Sequence, residues 1–311
     1  MHQPPWLSEN DVDRAVDVRD AIPAVAAAIE HEARGLAGNI AKTMTTWDPA
    51  SAAHALGGFD HATARVAFKT WVNTPVGAES LLSLFDATNG RILALMQSVT
   101  LGVIRTAAVS GVATDLLADP GADELAIIGS GRQALRQVAA VAAVRPLRRV
   151  RVWSPTPASR AGFAEQISAE LGIVAEALPS LEAAVADAPI VTVVTRAREP
   201  FFPRGILAPG AHLNAIGAIL PHAAEFDSAL LADSSITVVD NLENARRASR
   251  ELIEFYGDDF SPVQTLGDLM TGAAARPLSP ALTVFKGMGM GLADLAVANV
   301  AAANHEGVPT A

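Results

Sequence analysis

Residues 125–134 read LAIIGSGRQA, an apolar run that ends in Gly129-Ser130-Gly131-Arg132-Gln133-Ala134 and enters an Ala/Val/Leu-rich stretch reaching Ala143. Two glycines and an alanine at this spacing, between a strand and a helix, fit the fingerprint that cradles a dinucleotide pyrophosphate. Gly129 permits the tight turn, Gly131 lets backbone approach the phosphates, and Ala134 keeps the helix close to the sheet. Ser130 and Gln133 belong to the same loop and are candidate cofactor contacts with them. The helix N-terminus then faces the anion. The competing reading is a structural turn without a ligand.

The next strand carries the choice of cofactor. NAD enzymes place an acidic residue on the ribose hydroxyls about 20 residues past the glycine loop, where NADP enzymes offer room and a cation. Here the chain runs Arg151-Val-Trp-Ser154-Pro-Thr156-Pro-Ala-Ser159-Arg160. No carboxylate is present, and Ser154, Thr156, Ser159 and Arg160 can surround a 2′-phosphate. The run favours NADP(H), although serine and threonine hydroxyls also bond the unphosphorylated ribose of NAD(H).

These residues need a frame to hold them. Apolar, β-branched runs at 125–128, 150–153, 173–177, 190–195, 212–216 and 236–240 alternate with helix-like segments. That alternation predicts an α/β fold with a Rossmann-type, doubly wound parallel sheet and a ligand beyond the carboxyl ends of its strands. The first 117 residues are patterned differently. Ser8-Glu9-Asn10-Asp11 can cap a helix, and 20–33 has helical apolar spacing. Strand-like pieces follow at 64–72 and 81–94, the second broken by Asn89-Gly90, a hairpin signal, and then a helix at 100–117. The expectation is an α+β domain built from 1–117 with 290–311, into which a dinucleotide domain at 118–289 is inserted.

Composition narrows the remaining classes. A net charge of −10 and a pI near 5.1 argue against a nucleic-acid surface. The cluster Arg145 to Arg151 reads as a solvated turn before a strand. With no cysteine and seven histidines lacking ligand spacing, no disulfide, thiolate nucleophile or metal site is expected. No apolar run approaches the ~20 residues that span a bilayer, and the N-terminal MHQPPWLSENDV lacks the pattern of a signal peptide. A cytoplasmic protein without membrane partners is expected.

Five blocks together give the chain a resemblance: Lys69 in AFKTWVNTP, Arg105 in LGVIRTAAVSGVAT, the GSGRQA loop, VVDNLENARRASREL at 238–252, and VFKGMGMGLADLAVA at 284–298. In this order they resemble the ornithine cyclodeaminase/μ-crystallin family over nearly the full length. The resemblance implies a Rossmann domain, a substrate domain formed by both termini, and a homodimer. It also implies hydride exchange between a nicotinamide and the α-carbon of a small α-imino or α-amino acid, with free imine or keto acid plus amine as substrate. Arg105 then binds the substrate carboxylate through a planar guanidinium. Lys69 occupies the position of the family's active-site lysine, and partial burial beside Arg105 would lower its pKa and equip it as proton donor. An exposed helix arginine and a snorkelling lysine are the alternatives.

Further positions follow from the same resemblance. Gly287 and Gly289 are expected past the nicotinamide, with Lys286 on the approach and Asp294 in the next helix, while Thr195 and Gly217 are expected at the cofactor. A flexible hinge is the other reading of the glycine loop. His222 is either an auxiliary acid or substrate contact, or a plain loop residue. Glu225 and Asp227 match acidic positions that helix capping explains equally well.

Two departures bear on activity. Cyclodeaminases carry an aspartate where Gly217-Ala-Ile-Leu-Pro221 places Ile219, which cannot accept a hydrogen bond from a substrate amine. Imine reduction does not need that carboxylate, so a reductase or amino acid dehydrogenase is expected ahead of a cyclodeaminase or a non-catalytic binding protein. In Gly38-Asn-Ile-Ala-Lys-Thr-Met, Lys42 stands where the family has a carboxylate-binding arginine. It keeps the charge without the fork. If Lys42 joins Lys69 and Arg105, a dicarboxylic imine such as iminosuccinate becomes a candidate substrate; a solvated loop lysine is the other reading.

Overall fold

The computed structural model describes residues 3–305. The first two residues, and the part of the 290–311 segment beyond His305, lie outside the described residues. The chain forms two compact units: one runs to Ala108 and resumes at Met290, the other is Val109–Gly289. The first division falls inside the helix Val99–Leu117 rather than after it. That helix is long and apolar enough to cross a membrane by length and composition alone. Its Leu101, Ile104, Ala107, Ala108, Val112, Ala113 and Leu117 are buried inside the protein.

The first unit is a six-stranded sheet with helices. Its strands are β1 (Trp6–Leu7), β2 (Ala37–Asp48), β3 (Ser51–Asp60), β4 (Arg65–Thr74), β5 (Gly77–Asp86) and β6 (Ile92–Gln97), in the order β1-β6-β5-β4-β3-β2. Neighbours are antiparallel except β1 with β6. Ser8 caps the helix Glu9–Ala15 in a reciprocal capping box with Asp11, and Asp17 caps Val18–Ala33. Asn89-Gly90 lies in the turn between β5 and β6, with Gly90 at a φ of 74°. The long strands β2 and β3 were not expected: β3 is half Ala and Gly, and the Ile and Thr of β2 are interspersed with Ala, Gly, Asn and Lys, so neither carries a clear β signal.

Their small residues have a packing cause. The helix Gly291–Asn304 lies against β3, β4 and the helix Val18–Ala33, and is buried nearly all round. A Cβ on Gly58 would sit 2.8 Å from the Leu292 Cα, and one on Gly291 would sit 2.1 Å from the Gly57 carbonyl oxygen. Glycine on both sides is what lets helix and strand approach so closely.

The second unit is an all-parallel sheet of eight strands. They are β7 (Glu124–Ile128), β8 (Arg149–Trp153), β9 (Val174–Ala177), β10 (Ile190–Val193), β11 (Ala211–Ala215), β12 (Ile236–Val239), β13 (Val263–Thr265) and β14 (Leu282–Lys286). The order β13-β12-β14-β11-β10-β7-β8-β9 reverses direction at β7, the doubly wound pattern expected. Six of these strands match the apolar runs in the sequence. The central β14 escaped notice because LTVFK merges into the glycine-rich motif that follows it.

A polar network crosses the middle of this sheet. His212 is fully buried, with Nδ1 2.9 Å from the Thr283 hydroxyl and Nε2 3.1 Å from the Asn214 side-chain oxygen, and Asn214 donates to the Thr114 hydroxyl at 3.0 Å. Burial lowers the His212 pKa from 6.5 to about 3, so the ring is neutral in the folded chain. Below pH 6.5 the unfolded chain takes up a proton that the folded chain does not bind, and stability falls as pH drops towards 3. The slope attributable to this residue approaches about 1.4 kcal/mol per pH unit. Urea unfolding between pH 7 and 5 is expected to be flatter in His212→Gln than in the wild type, and equal slopes would contradict this assignment.

Candidate active site

Two lone cations in apolar surroundings, Lys69 and Arg105, meet a carboxylate on a third element. Alternation along β4 buries Ala67 and Lys69 and turns Phe68 and Thr70 outward. Lys69 Nζ donates to Asp294 Oδ1 at 3.0 Å. Arg105, one turn along the helix Val99–Leu117 from Gly102, has Nε 3.5 Å from the same oxygen, at ion-pair distance but outside hydrogen-bond geometry. All three belong to the first unit. Gly102 makes room for the ammonium: a Cβ there would lie 2.7 Å from Lys69 Nζ.

The electrostatics of the cluster are unusual for a surface lysine. Asp294 is 1% exposed and Lys69 9%. Burial lowers the Lys69 pKa below the ordinary 10.5, Asp294 opposes that shift, and the Arg105 charge adds to it. Two cations against one carboxylate leave a single positive charge in a nearly dry place. That excess is suited to one substrate carboxylate. Asp294 was read from the sequence only as a residue of the following helix; the missed signal is one acid in the apolar run GLADLAVA. Glu9 contributes from a distance: it accepts from the backbone N–H groups of Val99 and Thr100 and its charge favours protonated Lys69.

Lys42 is not on a loop. It lies in β2 with Nζ 5.3 Å from the centroid of Trp71, whose ring stacks on His54 at 4.6 Å. This is a cation held over an aromatic face on the same sheet as Lys69.

In the second unit the glycine loop follows β7 directly. Gly129 has a φ of 117°, a left-handed backbone that favours glycine, and a Cβ on it would lie 2.6 Å from the Val194 carbonyl oxygen. A Cβ on Gly131 would meet no atom within 4 Å, so this glycine faces open space. Gln133 begins the helix Ala134–Val144 without a side-chain cap, and its Oε1 is buried with no partner. At the end of β8 the Ser130 and Ser154 hydroxyls are 3.1 Å apart, and Arg160 donates to the Ser154 carbonyl at 3.1 Å. Thr156 is the N-cap of the helix Pro157–Leu171, again without a side-chain cap bond. These features fit a dinucleotide: an open glycine, an uncapped helix N-terminus, and hydroxyls with an arginine where the adenosine ribose would come.

Past the carboxyl ends of β10, β11 and β14, buried carboxylates hold the backbone. Thr195 and Gly217 are there, but both are held by Glu225, which is fully buried and caps no helix. Asp227 is the residue that caps, at the 3-10 helix Ser228–Asp233. Lys286 is fully buried and pairs with Glu251 at 3.2 Å. Beyond it Asp240 accepts from the backbone of Met288 and Gly289, which fixes the Gly287–Gly289 loop where a free hinge was the other reading. His222 and Ile219 are exposed in the loop after β11.

The chain is similar to known proteins. Mouse ketimine reductase mu-crystallin is 34% identical over 229 residues, which are 73% of this chain and 70% of that protein. The structure of Thermococcus litoralis Delta(1)-pyrroline-2-carboxylate reductase in complex with NADH and L-proline aligns with a TM-score of 0.90 at 27% identity, over 96% of this chain and 97% of that one. The iminosuccinate reductase of Paracoccus denitrificans in complex with NAD+ aligns with a TM-score of 0.90 at 26% identity, over 97% and 96%. Residues 6–307 match the ornithine cyclodeaminase/mu-crystallin family as a whole, and the chain belongs to that family.

Proposed function

We propose that the chain reduces a small α-imino acid to an L-amino acid with NAD(P)H, or runs the reverse oxidation. The observation that carries this reading is the buried Lys69–Asp294–Arg105 cluster. Its net positive charge accepts the substrate carboxylate on Arg105, whose guanidinium has donors beyond the one facing Asp294. Lys69 Nζ holds a proton that Asp294 keeps in place and burial makes easier to give up, so it can protonate the imine nitrogen. With Lys69 protonated and the imine neutral, the site and the substrate carboxylate sum to zero charge; after transfer the sum is the same. The proton therefore moves without changing the buried charge. A bound reduced nicotinamide would supply the hydride to the imine carbon. The names of the mouse, Thermococcus and Paracoccus relatives, all imine reductases, support this class of substrate. Ile219, exposed and apolar, gives no carboxylate for cyclodeamination.

Turnover of reduced cofactor with pyruvate or oxaloacetate plus ammonia or methylamine tests the reaction. Lys69→Ala is expected to lower it by about 10²–10⁴-fold while cofactor still binds. In the wild type the reductive rate should fall as pH rises through the depressed Lys69 pKa, because only the protonated amine donates. Full activity of Lys69→Ala would overturn the assignment.

For the cofactor we propose NADP(H). Arg160 and the Ser154 and Ser130 hydroxyls stand in for the missing acidic residue and would hold the 2′-phosphate. Arg160→Ala should raise the KM for NADPH about tenfold or more and leave that for NADH unchanged. An equal effect on both cofactors would remove the preference.

A homodimer is also proposed. On the outer face of β4, Phe68 and Val72 are 40% and 44% exposed, and Trp47 on β2 is 57% exposed. A second copy of the same sheet would cover this apolar surface. Light scattering should give twice the chain mass of 32.2 kDa, with Val72→Asp shifting it towards one chain; a wild-type monomer would exclude the arrangement.

A further inference from the structure

The carboxylate of Glu225 is fully buried and accepts four hydrogen bonds. Oε1 takes the Thr195 backbone N–H at 2.6 Å and the Thr195 hydroxyl at 2.8 Å, and Oε2 takes the N–H groups of Gly217 at 2.6 Å and Ala218 at 3.2 Å. Thr195 follows β10, and Gly217 and Ala218 follow β11. These strands pair through 190–193 and 212–215. Past the end of that ladder, the Glu225 side chain joins the two segments. Gly217 is required for it: a Cβ there would lie 2.1 Å from the Thr195 carbonyl oxygen and 2.3 Å from Glu225 Oε1.

A third strand end is tied in from behind. The Glu225 backbone N–H donates to Glu251 Oε1 at 3.0 Å, and the same oxygen accepts from Lys286 Nζ, at the end of β14, at 3.2 Å. Burial pushes the Glu225 pKa up, while Lys286 and the N–H donors from Thr195 and Gly217 pull it back towards the carboxylate. Burying such a group is costly and is a weak way to add stability. It is an effective way to fix backbone at one geometry.

The position of this clamp in the sheet gives it a role. The phosphate loop follows β7 and the ribose candidates follow β8, so the adenosine half of a dinucleotide belongs on the β8 side and the other half on the β10–β11 side. We propose that Glu225 is the positioning residue for the nicotinamide half of the cofactor, locking the segments after β10 and β11 into one rigid floor. The proposal rests on reading this unit as dinucleotide-binding.

Dissociation constants for NADPH and for 2′-phospho-ADP-ribose, which lacks the nicotinamide, separate the possibilities. Glu225→Gln must turn an amide NH2 towards one pair of donors. It should weaken NADPH about tenfold or more and leave the truncated ligand within about threefold. Thr195→Val removes one of the four bonds and should show the same selective loss, about threefold; it decides the matter if the Gln variant does not fold. Equal weakening of both ligands, or no change in either, overturns the proposal. Failure of the wild type to bind either ligand, and also NADH and ADP-ribose, overturns instead the dinucleotide reading beneath it.

Discussion

The sharing of one carboxylate oxygen by two cations is the interaction on which the candidate site depends. Asp294 Oδ1 meets Lys69 Nζ and lies at ion-pair distance from Arg105, and all three side chains are largely removed from water. Without Asp294, two positive charges would face each other in a low-dielectric place, at a large electrostatic cost. The rest of the first unit can be understood as the means of bringing that carboxylate in. Gly58 and Gly291 let the helix that carries it press against β3, and Gly102 lets the lysine lie against the helix that carries Arg105. Chemistry and packing share the same small residues.

The second unit solves a related problem with the opposite sign. Two carboxylates, Glu225 and Glu251, are buried with a single ammonium, Lys286, and the deficit of positive charge is met by hydrogen bonds from backbone N–H groups and the Thr195 hydroxyl. Elsewhere in the same sheet the buried polar groups are neutral: His212 gives up its proton and joins Asn214, Thr283 and Thr114 in an uncharged network. Charge is thus kept at the carboxyl ends of the strands, where ligands bind in open parallel sheets, and removed from the middle.

Much of this was legible in the chain itself, for physical reasons that also explain the gaps. Strands buried on both faces read as continuous apolar runs, so most of the parallel sheet was visible, and the glycine loop announced itself by sitting between one of them and a helix. Lys69 and Arg105 stood out as charges in apolar context. Asp294 did not, because its partner is 225 residues away and nothing local shows which face of its helix meets β4. For Glu225, helix capping stood level with a family acidic position because Asp227, two residues on, is a cap. β3 was hidden because a strand built for close approach loses the branched residues that usually mark one.

A crystal structure of the protein with NADPH and an L-amino acid product tests the central claim most directly. The account predicts the ligand carboxylate on the Arg105 guanidinium and its nitrogen within hydrogen-bond distance of Lys69 Nζ, with Asp294 still bound to the lysine. An amino acid seated with its carboxylate and nitrogen on other residues, and with Lys69 and Arg105 untouched, would contradict it.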